Sequence, residues 1–256
     1  MKPIEKAVIT KRIQLIARSK RLFAFAIKEQ YIQALKVIDR TSIDQIAYAL
    51  KGSISKAPIE TAFKQCYSST AKIAMLWKGH LVPKKKDAVD DFEESVFEES
   101  MSNYALTKAG KRIALISETT EEYIIRATQK ALIKGTEEGL GVEAIKNLIL
   151  DFVNSQYKEM TSARANLIAQ TEIITASNQA AVEAANSTGL KYMGFWSTSG
   201  NDNVRDSHAL CEQFSTDNGG VTPGDLFPNG LEYPGDPNGE PEEVCNCHCT
   251  YLVEIV

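Results

Sequence analysis

Up to Gly189 the chain carries three prolines; five more crowd between residues 223 and 241, among frequent Gly, Asn, Asp and Ser. Proline lacks an amide donor and glycine costs backbone entropy, so this end cannot be a run of long helices. The part before it reads as helix. From Ile4 to about Arg40, Val8, Leu15 and Leu22 recur at seven, with Ile16, Phe23, Ile27, Tyr31, Leu35 and Ile38 between them. That spacing predicts one long helix, or two with a break. Thr41-Ser-Ile-Asp can cap a second helix over about 42–51. Further helices are expected over Ile59 to Lys78, Asn103 to Lys134, Val142 to Phe152 and Thr161 to Asn186. Gly135, Gly139 and Gly141 mark a loop, GHLVPKKKD (79–87) a turn with a short basic run, and DDFEESVFEES (90–100) an acidic stretch. Past Gly189, KYMGFWSTS has the β-branched and aromatic character of a strand, 201–213 reads as a short helix, and CTYLVEIV as a final strand. The expected class is α+β: a mostly helical N-terminal region, residues 1–160, followed by a small α+β C-terminal domain, residues 161–256.

The 256 residues are 43% hydrophobic and 24% charged, a globular composition. No apolar run approaches the ~20 residues that span a bilayer. The N-terminus lacks the apolar core of a secretory signal, so a cytosolic protein with no membrane partner is expected. Charge is polarised. Residues 1–40 hold ten Lys/Arg and three Asp/Glu, a net of +7; residues 197–256 hold one Arg and eleven Asp/Glu, a net of −10. The first helix is therefore either an amphipathic packing helix or a contact for DNA or an acidic partner. Lys11, Arg12, Arg18, Lys20 and Arg21 are the candidate contacts.

Five cysteines are an odd count, and Cys211, Cys245, Cys247 and Cys249 fall in the last fifth of the chain. In a reducing compartment such clusters read as metal ligands or buried thiols before disulfides. His208 and Cys211 form H-x-x-C, which lets both reach one point from a helical turn. On an extended segment Cys245, Cys247 and Cys249 would share one face. A structural zinc held by His208, Cys211 and two of the other three is one reading. The other is a buried thiol pair, with His208 hydrogen-bonded to a carboxylate or carbonyl. A Cys247–Cys249 disulfide would be strained.

Four stretches then follow in a telling order: RANLIAQTE (164–172), FWSTSGNDNVRDSH (195–208), PGDP (234–237) and NCHC (246–249). In that order they resemble the phage head-morphogenesis family, the Mu protein F-like minor head proteins, over about residues 164–252. Arg164, Glu172, Trp196, Asp202, Arg205, His208, Cys247 and Cys249 match the motif positions. Gln170 and His248 stand where the family pattern has Arg. Arg205 takes a place that is Cys in some relatives with a fuller metal site, and guanidinium does not ligate metal. The resemblance implies a structural, non-enzymatic minor head protein of a tailed bacteriophage. Such proteins reside inside the head of the virion, after assembly in the host cytoplasm. The implied partners are the portal protein and the capsid interior, and the implied role is head assembly or DNA packaging and delivery. Glu172 paired with Arg205 or His208 is the expected tie between elements.

Enzyme readings find less support. There is no G-x-G-x-x-G, P-loop or H-E-x-x-H. Arg164, Ser197-Thr198-Ser199 and Glu240-Pro241-Glu242 follow the order of mono-ADP-ribosyltransferases, which phage head proteins can carry. That fold needs its Arg on a strand, whereas Arg164 sits in a helical pattern. Cys211 or Cys247 with His208 could form a nucleophile pair. The alternatives to a head protein are thus such a phage-borne enzyme, or a zinc-stabilised DNA-binding protein.

Overall fold

A computed structural model describes residues 2–82 and 91–256; the basic run at Lys84–Lys86 lies outside them. The elements are α1 (Pro3–Arg40), α2 (Ile46–Leu50), α3 (Ala57–Ser68), α4 (Ala71–Leu81), α5 (Asp91–Lys108), α6 (Gly110–Glu137), α7 (Val142–Asn186), β1 (Tyr192–Ser197), α8 (Asp206–Asp217), α9 (Pro241–Val244) and β2 (Thr250–Ile255). The class is the expected one, mostly helical with a small antiparallel sheet near the C-terminus. Among the described residues no helix is long and apolar enough to cross a membrane.

Local chemistry decides where the helices break. The expected helix over 59–78 is two, α3 and α4. Between them Ser69 and Thr70 turn their hydroxyls back onto the carbonyls of Cys66 and Tyr67, both at 2.6 Å. Such hydroxyls compete with the helical amide for its acceptor. The expected helix over 103–134 is likewise divided, at Ala109 before Gly110, and the acidic stretch from Asp91 belongs to α5. Conversely, the helices expected over 142–152 and 161–186 are one. The segment between them, VNSQYKEM, is largely polar but holds neither Gly nor Pro.

The chain forms two compact units. One comprises Lys20–Phe63 and Ala109–Asn166. Its buried residues recur at helical spacing: Phe23, Ile27, Tyr31 and Ile38 on α1, Ile113, Ile124 and Ala131 on α6, Ile149 and Val153 on α7. Phe23 meets Phe63 edge-on at 5.4 Å. Each Ile, Val or Phe side chain among them, fully buried, stabilises by roughly 1.5–3 kcal/mol. Gln30, wholly buried, donates to Ser117 Oγ (2.9 Å) and the Ser55 carbonyl (3.0 Å), which offsets the desolvation of its Nε2.

The other unit comprises Met1–Ser19, Lys64–Lys108 and Leu167–Val256. Its axis is the C-terminal part of α7, where every residue from Thr171 to Ala181 is buried. A helix enclosed on all sides needs small residues so that neighbours can approach, and partners for each polar group. Ala176, Ala180 and Ala181 meet the first need. Asn178 illustrates the second. Its Oδ1 accepts from Arg12 and from the Tyr251 amide (3.0 Å); its Nδ2 donates to the carbonyls of Pro234 (2.7 Å) and Cys249 (3.2 Å).

β1 and β2 pair antiparallel, Trp196 opposite Tyr251 and Gly194 opposite Val253. On its other side Gly194 exchanges two 2.8 Å hydrogen bonds with Val221. A Cβ at Gly194 would lie 1.9 Å from the Tyr251 hydroxyl, so this strand position must be bare. The PGDP loop closes on α7 in the same way. Gly235 has φ +81°, and a Cβ there would lie 3.1 Å from the Thr175 Cα. Asp236, 2% exposed, accepts from the amides of Glu232 (3.1 Å) and Asn238 (2.8 Å) and holds the turn.

Candidate functional site

The chain leaves β1 through Thr198, whose amide and hydroxyl both donate to the Glu212 carboxylate, at 2.9 and 2.7 Å. It re-enters helix at Asp206, after an extended Arg205. His208 therefore stands in the first turn of α8, 2% exposed, edge-on to the Trp196 indole at 5.0 Å. From the other side come Cys247 and Cys249, in the segment between α9 and β2. His208 Nδ1 lies 3.4 Å from Cys249 Sγ and 3.8 Å from Cys247 Sγ. Its Nε2 meets Glu243 Oε2 at 3.0 Å. Glu243 also accepts from the Ser207 hydroxyl (3.0 Å) and Asn229 Nδ2 (3.1 Å).

Electrostatics follow from this arrangement. The Cys247 thiol is held well below its ordinary range, first by the hydrogen bond from Cys249 and then by His208, against the opposing effect of burial. Cys249 is driven the other way by sharing its proton with Cys247 and by burial. The Cys249 amide also donates to Cys247 Sγ at 3.4 Å. Burial would raise the Glu243 carboxyl, but hydrogen bonds from Asn229 and Ser207 and the nearby His208 outweigh it and lower it. Among the described residues the buried Trp196 indole N–H has no partner that meets hydrogen-bond geometry. A polar cavity of about 360 Å³ opens beside the cluster, lined by Asn201, Asn203, Arg205, His208, Asn246, His248 and Cys249 among others.

Of the five candidate metal ligands, the structure brings together His208, Cys247 and Cys249, and their ligand atoms lie within 4.8 Å of one another. Cys211 and Cys245 lie outside the cluster. Cys211 is buried one turn further along α8; burial pushes its thiol up to about 11, opposed by a backbone hydrogen bond from Asn229. Cys245 is exposed and ends α9. The alternation expected of an extended 245–249 fails because Asn246 has φ 56°, a left-handed turn that swings Cys245 off the common face. The Asn246 amide is held there by Thr171 Oγ1 at 3.1 Å.

The remaining motif residues act as ties, in partnerships other than those expected. Glu172 is 2% exposed and accepts from the Tyr67 hydroxyl at 2.8 Å. Arg205 donates to the Cys245 carbonyl at 2.7 Å, and His208 turns to Glu243 and the thiols. The expected Glu172 tie to Arg205 or His208 is thus replaced by three separate ones. Tyr67 supplies a neutral donor from α3, whereas Arg205 reaches the Cys245 carbonyl at the end of α9. Asp202 lies exposed in the turn before α8. Arg164, on α7 in the other unit, donates to Thr120 Oγ1 (2.7 Å) and the Ile116 carbonyl (2.6 Å) and stacks over Tyr123. Gln170 and His248, which both stand where the family pattern has Arg, meet side by side.

Among the candidate DNA contacts, Arg18 and Arg21 are exposed and Lys11 and Lys20 half-buried. Arg12 is a correction: it is 4% exposed and faces inward. It donates to Ser177 Oγ (2.6 Å), Thr250 Oγ1 (2.7 Å), Asn178 Oδ1 and the Cys249 carbonyl (3.4 Å). Burial lowers its pKa to about 10, opposed by the charges of Cys247, Cys249 and Glu5. The sequence held a signal for this. Arg12 stands four residues after Val8 and three before Leu15, on the apolar stripe itself. Glu243 had no comparable signal, being one of three acids in E-P-E-E.

The family whose description is phage Mu protein F like protein matches residues 126–252, about half of the chain, and takes in the whole His208–Cys247–Cys249 cluster. The chain belongs to the phage Mu protein F like family. Its class is thereby that of bacteriophage head-morphogenesis and structural proteins. No curated protein and no solved structure matches the chain. The Mu F-like match begins within α6 and ends within β2, so it includes all of α7, the helix on which the buried ties converge.

Proposed function

We propose that the protein is a minor structural component of the phage head, bound to the portal and the capsid interior, and that it acts in head assembly or DNA packaging and delivery. The observation that supports this is the Mu F-like match over residues 126–252. The motif residues are spent on architecture: Glu172 on Tyr67, Arg205 on the Cys245 carbonyl, Arg164 on α6. The enzyme alternative loses its first requirement, since Arg164 stands on a helix with its guanidinium engaged.

Packaged DNA is a second partner in this reading, through Lys11, Arg18, Lys20 and Arg21 on α1. Arg12 is not among its contacts. The test is co-purification of the tagged full-length chain with portal rings, and its copy number in purified heads. Capture by the portal and a fixed low number per head are expected. Free heads without the protein, from cells that express it, would refute the reading. For DNA, Arg18→Glu with Arg21→Glu should weaken binding and flatten its salt dependence, because each phosphate contact contributes about one unit of slope.

A further inference from the structure

We propose that His208 Nδ1, Cys247 Sγ and Cys249 Sγ bind one zinc ion, with a fourth coordination position that opens to the adjacent cavity and is filled by water. The distances fit. With zinc–sulfur bonds of ~2.3 Å and zinc–nitrogen bonds of ~2.0–2.1 Å, a tetrahedral ion sets its sulfur and nitrogen ligands roughly 3.6 Å apart. The two observed separations, 3.4 and 3.8 Å, straddle that value. Two sulfurs and an imidazole select a soft or borderline ion over calcium or magnesium.

The surroundings are those of a ligand set held ready. Glu243 takes the far nitrogen of His208 and leaves Nδ1 facing the thiols, the carboxylate–histidine arrangement that orients an imidazole on zinc. Glu243 is itself fixed by Ser207 and Asn229. The Cys249 amide points at Cys247 Sγ, a contact that supports a thiolate. The buried guanidinium of Arg12 braces the same segment, donating to the Cys249 carbonyl and Thr250 Oγ1. Zinc, two thiolates and a neutral imidazole sum to zero charge, which suits a buried site. Binding releases the protons of the thiols to solvent. Cys211 and Cys245 contribute no ligand. The cavity wall at His208 and Cys249 is where the fourth position opens, among the side chains of Asn201, Asn203 and Asn246.

The test is titration of the reduced full-length chain with cobalt(II), read by thiolate-to-metal charge transfer and the d–d bands of tetrahedral coordination, with zinc as competitor. One equivalent of cobalt is expected, displaced by one of zinc, with near-stoichiometric zinc by elemental analysis. Cys211→Ser and Cys245→Ser should keep the spectrum. Cys247→Ser and Cys249→Ser should each lose most of the charge-transfer intensity. Glu243→Gln should keep the tetrahedral spectrum and bind about 10–100-fold more weakly. Absence of a charge-transfer band in wild type that is folded by circular dichroism overturns the proposal. So does a stoichiometric band that vanishes in Cys211→Ser, or one that survives in Cys247→Ser with Cys249→Ser combined.

Discussion

Asn178 is the residue on which most of the C-terminal unit's polar accounting converges. Its amide satisfies Arg12, the Tyr251 amide and two carbonyls at a position with no access to water. Each buried group left unpaired costs about 1–3 kcal/mol. Asn178→Ala strands several at once, so a loss of about 3–5 kcal/mol is expected, on the same principle. Asn178→Asp should lose less, since it keeps the acceptor for Tyr251 and sets a negative charge beside Arg12 while giving up the two carbonyls. Urea unfolding of the three proteins checks the order; equal midpoints would show that Asn178 is a bystander. Arg12 teaches a related lesson. On composition it belonged to a basic helix that contacts partners; by position it belonged to the core. The position was the better guide, because a side chain on the apolar stripe is buried with the stripe.

At the scale of elements, the helical segments were legible because periodicity is a local property. Val8, Leu15, Phe23 and Ile27 announce a buried face wherever the rest of the molecule lies. The strands were legible too, since KYMGFW and TYLVEI carry the aromatic and β-branched residues that a sheet favours. Breaks were harder. Ser69 and Thr70 end a helix by two hydroxyl bonds that leave no mark beyond their names, whereas the polar run at 154–159 does not end one. The PGDP loop carries the sharper test. Gly235→Ala demands a left-handed backbone that costs about 1–2 kcal/mol. It also presses a methyl onto the backbone of α7 at Thr175. A total loss of roughly 2–4 kcal/mol is expected, with faster amide exchange at Asp236 and Asn238 than at residues of β2. Uniform exchange would show that the loop is not a separate clasp.

For the whole molecule, the chain's order and its units do not coincide. Met1–Ser19 and Lys64–Lys108 belong with Leu167–Val256. A fragment of residues 161–256 keeps the His208–Cys247–Cys249 cluster but lacks Arg12, Tyr67, Ser100 and Tyr104. Those four bond to Asn178, Glu172, Glu183 and Tyr233 in the intact chain. It should therefore bind a hydrophobic dye and melt without a sharp transition, while the full chain melts cooperatively. A sharp, dye-free transition for the fragment would show that these ties are dispensable.

The sequence by itself determined the helical body, the loop-rich end and the order of the Mu F-like stretches, because propensity, period and motif order are written in neighbouring residues. Only the tertiary structure decided which of five cysteines meet His208 and which acid holds that imidazole. Those choices depend on the path between elements. One left-handed residue at Asn246 turns Cys245 away, and one carboxylate among three at Glu243 comes within 3.0 Å of the ring. Composition and spacing carry no information about such a path.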